Sequence, residues 1–122
     1  MKHTRAKAII QKTLDPAVEA LSLQDWNIDI RFMEGEYADD RLTAMTNSVN
    51  LPYLRCTIQV WNPAYEKSDE EISGILIHEL CHLYTEDLYS IANAHVPPAM
   101  KFFVEEKREQ LTERIARLVV VK

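Results

Sequence analysis

The stretch that most constrains this chain is Ile77-His78-Glu79-Leu80-Cys81-His82, an H-E-x-x-H pattern inside an apolar run over residues 72–88. Histidines four residues apart on a helix stand one above the other on the same face. Both imidazoles then reach one metal ion. Zn²⁺ is the first candidate, because it takes neutral imidazole nitrogens at about 2.0–2.1 Å. Glu79 follows His78 by one position, so it lies roughly 100° round the helix and stands beside such an ion rather than on it. From there its carboxylate can take a proton from a metal-activated water. The apolar flanks Ile72, Ile75, Leu76, Leu80 and Leu83 predict a buried helix, where imidazoles without partners are costly. Ser68, with Glu71 three residues later, has the pattern of a capping box, and Asp69 and Glu70 add charge to the first turn.

At 122 residues, 47% hydrophobic and 27% charged, the chain predicts one domain over residues 1–122, with a single core and no separate substrate domain. The net charge of −5 and scattered basic residues weigh against a nucleic-acid groove or an anionic membrane surface as partner. No segment is long and apolar enough to span a bilayer. Gln11, Lys12 and Asp15 interrupt anything that could act as a signal sequence after the basic start. The expected location is therefore the cytoplasm. Cys56 and Cys81 fall in a predicted strand and a buried helix, as reduced packing thiols.

Ala6, Ile9, Ile10, Leu14, Ala17, Val18 and Leu21 recur at spacings of three and four, predicting a helix over residues 4–21. Asp15-Pro16 either kinks it or opens a second short helix. Trp26, Ile28, Ile30 and Phe32 alternate with polar residues as a strand, residues 34–41 form a polar turn, and residues 42–49 and 53–61 are two further strands. Short connections suggest an antiparallel meander. The motif helix runs to about residue 91, a loop covers residues 93–96, and Pro98 opens a last helix to about residue 120. The class is α+β, in the order α-β-β-β-α-α.

A catalytic zinc site normally has three protein ligands and an open position. Beyond His78 and His82 the candidates are His95 and the acidic residues Glu105, Glu106, Glu109 and Glu113. Against an apolar stripe of Val104, Leu111, Ile115, Leu118 and Val119, Glu106 and Glu113 point to solvent, while Glu105 and Glu109 lie on one flank. Spacing leaves those two nearly tied. An oxyanion donor could come from Tyr65, Tyr84, Tyr89 or His95, and no pattern singles one out.

Three stretches carry a family resemblance: Leu23-Gln24-Asp25-Trp26-Asn27-Ile28, His78-Glu79-Leu80-Cys81-His82, and Glu109-Gln110-Leu111-Thr112-Glu113-Arg114-Ile115-Ala116. In these the chain resembles the minimal gluzincin-type zinc metallopeptidases, in particular the small metallopeptidases of phages and prophages. Only H-E-x-x-H among them is specific. The resemblance implies a zincin-like domain with an N-terminal helix, a three-stranded mostly antiparallel sheet, the H-E-x-x-H helix and a C-terminal helix that supplies a glutamate ligand. In that group, a glutamate shortly before a Leu/Ile/Phe-Ala pair completes the zinc site. The pair here is Ile115-Ala116, and the matching residue looks like Glu109.

The implied ligand set is His78, His82 and Glu109, with Glu79 as general base and a peptide or protein as substrate. The helix-turn-helix of repressor-cleaving peptidases and the zinc ribbon of SprT-like proteases have no counterpart here, which argues against a DNA-associated role. The alternative is a zinc-stabilised binding or regulatory module with the peptidase fold and little hydrolytic activity. Glu79 favours the enzyme, since a structural site has no use for a base.

Overall fold

The computed structural model describes residues 4–34 and 43–119, and the backbone alone of Ser48. The polar turn expected over residues 34–41 and the last residues of the chain lie almost wholly outside this set. Helix α1 (Thr4–Ala20) runs unbroken through Pro16 and buries Ala6, Ile10 and Ala17 along one face. Its end is marked by Ser22 at φ 56°, a left-handed residue that turns the chain into the first strand.

The sheet corrects the expected meander. Strands β1 (Asn27–Phe32), β2 (Ala44–Asn50) and β3 (Arg55–Val60) are arranged in the order β1-β3-β2. β3 pairs parallel with β1, from Asn27↔Arg55 to Phe32↔Val60. It pairs antiparallel with β2, which shifts register between Asn47 and Asn50. The sheet is therefore mixed, with β3 central. Burial explains the order. Cys56, Ile58 and Val60 are at most 3% exposed, whereas β1 has no fully buried residue. β3 is paired on both edges and turns Cys56, Ile58 and Val60 into the core, while Arg55, Thr57 and Gln59 on its other face stay exposed or half-buried. Leu54, at φ 52°, makes the tight turn between β2 and β3.

A short helix α2 (Asn62–Tyr65) follows. The Tyr65 hydroxyl lies 2.7 and 2.8 Å from the carbonyl oxygens of Met33 and Val60, fastening the ends of β1 and β3 together. Helix α3 (Asp69–His95) begins at the capping box read from sequence, with both Ser68–Glu71 hydrogen bonds formed. It is longer than expected, since residues 93–95 are helical. It stops at Val96, which is extended (ψ 151°) as a residue before proline must be.

Ile72, Leu76, Leu80 and Leu83 form one buried stripe of α3, and Glu79, His82 and Thr85 the neighbouring one. A 3₁₀ turn (Pro98–Met100) leads into α4 (Lys101–Leu118), which packs along α3. Among the described residues no helix is long and apolar enough to cross a membrane.

The face that α4 buries differs from the expected stripe. Leu111 is 42% exposed and Leu118 is 82% exposed, whereas Thr112 is fully buried, with Ile115, Ala116 and Val119 packed on the core. Thr112 Oγ1 lies 2.9 Å from Thr85 Oγ1 and donates to the Arg108 carbonyl, so a polar contact sets the register of α4 on α3. Core contact at Ile115 and a hydroxyl pair one turn earlier turn the helix about its axis. The acidic residues before Ile115 then face differently.

Candidate metal centre

α3 presents His78 and His82 with ring centroids 5.0 Å apart and the planes nearly perpendicular. α4 brings Glu109 across both: Oε2 is 3.4 Å from His78 Nε2, and Oε1 is 3.4 Å from His82 Nε2. Those separations are long for hydrogen bonds between charged groups. Each is close to the roughly 3.3–3.4 Å between two donor atoms that bind one tetrahedral ion at about 2.0–2.1 Å, with a different carboxylate oxygen facing each histidine. Ligand atoms of His78, Glu79 and His82 all lie within 4.8 Å of one another, so this group could hold a metal ion. Two imidazoles and a carboxylate are a donor set that suits zinc.

His78 Nδ1 lies 2.8 Å from Glu113 Oε2. A proton on Nδ1 donated to that carboxylate leaves the Nε2 lone pair facing Glu109 and the space between the histidines. Glu113 is therefore not on the solvated face expected from sequence. It sits one turn after Glu109, and residues four apart share a helix face, so the two arrive at the site together. Glu105 instead faces Arg108, at 3.6 Å, with its side chain more than half exposed. His95 lies 13 residues beyond His82 on the same helix, about 20 Å away at 1.5 Å per residue, and takes no part.

Glu79 is 8% exposed and held from the sheet side. Thr46 on β2 places its Oγ1 2.8 Å from Glu79 Oε1 and 2.9 Å from the Glu79 carbonyl oxygen. Burial raises the Glu79 carboxyl above its usual range, and the Thr46 hydrogen bond opposes that rise. Burial also pushes the His82 imidazole down to about 4, keeping it neutral. His78 moves the other way: Glu109 facing it raises its pKa against the opposing effect of burial, and Glu109 is lowered in turn by His78.

These directions predict how metal binding depends on pH. His78 must lose its proton to act as a ligand, so zinc affinity should fall as pH drops through its raised pKa, by up to about tenfold per pH unit. His82 should add no second break until near pH 4. Zinc titrations between pH 5 and 8 that show a flat affinity would contradict this ordering.

Of the tyrosines considered as oxyanion donors, Tyr65 and Tyr84 turn their hydroxyls to backbone carbonyls, that of Tyr84 to Leu21. Tyr89 stacks on the Arg108 guanidinium at 4.0 Å. Arg108 also stands 3.6 Å from Glu109 Oε1 and 3.5 Å from Glu86, linking the two helices behind the site. An open cleft of about 460 Å³ reaches the centre, lined by Thr43, Lys67, Ile75, His78, Glu79 and Glu113 among others. A separate apolar cleft of about 240 Å³ between the far halves of α3 and α4 contains none of the groups at the centre.

Sequence reasoning weighed Glu113 but set it on the solvated face, and gave Thr46 no part in holding Glu79. The first was signalled by its spacing from Glu109. The second, 33 residues from Glu79 on another element, had no local signal. Comparison with known proteins gives no further guide: no protein-family model, curated protein or solved structure matches this chain.

Proposed function

We propose that this protein is a zinc-dependent metallopeptidase of the gluzincin type. His78, His82 and Glu109 would hold the ion and Glu79 would act as general base. The observation that carries the reading is the pair of 3.4 Å separations by which Glu109 spans both Nε2 atoms, with a buried glutamate beside them. When bound, the ion supplies Lewis-acid polarisation of a peptide carbonyl and makes water a better nucleophile at neutral pH.

The chain's own residues do the rest. Glu79 accepts the proton of the attacking water and passes it to the leaving amine. Glu113 holds the His78 ring in place through Nδ1. Since β3 is the central strand, β2 is the edge beside α3, and an extended peptide would lie along it by strand addition.

The test is zinc content of the purified protein beside Glu109→Ala and Glu105→Ala. About one zinc per chain is expected, lost in Glu109→Ala and kept in Glu105→Ala. Zinc retained in Glu109→Ala and lost in Glu105→Ala would move the third ligand. A wild-type chain that takes up no zinc when it is supplied would end the peptidase reading.

A further inference from the structure

Glu79 is gripped at this centre from the sheet and not from its own helix. Its carboxylate lies within reach of the space between the histidines. A carboxylate so close to a divalent cation is drawn towards it, and one captured as a ligand no longer serves as a base. What holds it is a contact from a different element. Thr46 Oγ1 meets Glu79 twice, at Oε1 (2.8 Å) and at the carbonyl oxygen (2.9 Å). The single hydroxyl proton is shared between these two acceptors of one residue, which ties the Glu79 side chain to its own backbone through Thr46. Thr46 is itself rigid. It is β-branched, with a stiff χ1, and it pairs with the fully buried Ile58 in the sheet. The sheet, and not α3, therefore sets where Oε1 sits.

We propose that Thr46 is a positioning residue that holds Glu79 by one carboxylate oxygen, leaving the other to face the site and keeping Glu79 out of the ligand set. The inference rests on the metallopeptidase reading and extends it, because it names the group that makes Glu79 a base and not a fourth ligand. Thr46→Val keeps the shape and the β-branch and removes only the hydroxyl. Thr46→Ser keeps the hydroxyl.

The experiment loads each protein with Co²⁺ and records its visible spectrum, and measures Zn²⁺ affinity by competition with a chelator. In Thr46→Val the cobalt bands shift and zinc binds about tenfold more tightly, the scale on which partners of metal-site residues act. Thr46→Ser keeps the wild-type bands and affinity. Adding Glu79→Gln to Thr46→Val restores the wild-type bands. Glu79→Gln alone also leaves the band positions unchanged, which keeps the test open if Thr46→Val fails to fold.

Wild-type bands and wild-type affinity in a folded Thr46→Val protein would overturn the inference and leave the metallopeptidase reading standing. So would a band shift in Glu79→Gln alone. A wild-type chain that binds neither Co²⁺ nor Zn²⁺ removes the metallopeptidase reading, and this inference with it.

Discussion

Replacing Glu79 by Gln should leave zinc bound and lower the rate of peptide hydrolysis by about 10²–10⁴-fold, the usual contribution of a positioned general base. That corresponds to roughly 3–5 kcal/mol of transition-state stabilisation. Gln keeps the volume of Glu in a site that is 8% exposed, and its amide oxygen can still accept from Thr46. It has no basic oxygen with which to take a proton. The fall should appear in kcat with little change in KM, because the interaction removed acts in the transition state. The measurement is turnover of a fluorogenic peptide library by wild type and variant at equal zinc content. Equal rates would remove Glu79 from the mechanism. A variant that loses its zinc would show that Glu79 is a ligand.

Zinc should also stabilise the fold strongly, for a reason visible in the packing of α4. Thr112 is its only fully buried residue among those described, and Phe102, Phe103, Leu111 and Leu118 remain substantially exposed. The seam between α3 and α4 is therefore thin in apolar contact where the metal ligands face each other. An ion shared by His78 and His82 on one helix and Glu109 on the other would cross-link that seam.

At a free zinc concentration about a thousand times the Kd, binding to the native state alone adds about 4 kcal/mol. For a domain of this size that raises Tm by roughly 12–20 °C. Chelator should reverse the shift. In His82→Ala the zinc-dependent increment should vanish, whatever the substitution itself costs, since each variant is compared with and without metal. An increment retained in His82→Ala would place the stabilising ion elsewhere.

Local sequence determined much of this protein. The capping box at Ser68 and Glu71 and the i, i+4 histidines depend only on neighbours along one helix, and the structure forms them as read. The alternating strands were legible for the same reason, with their ends displaced by a residue or two. The buried thiols Cys56 and Cys81 follow from the apolar runs that contain them.

Strand order was not legible. Short connections favour pairing of sequence neighbours, yet β3 lies between β1 and β2, where pairing on both edges goes with the deep burial of Cys56, Ile58 and Val60 on its core face. The face of α4 was likewise settled by tertiary contact. Core packing at Ile115 and the Thr85–Thr112 hydroxyl pair turn Glu113 towards His78 and leave Leu111 and Leu118 in solvent. Periodicity finds the stripe that could be buried, but the partner surface decides which stripe is. The Thr46–Glu79 contact joins residues 33 apart on a strand and a helix. Such a contact has no local period or spacing, so only the folded chain brings the hydroxyl to the carboxylate it holds.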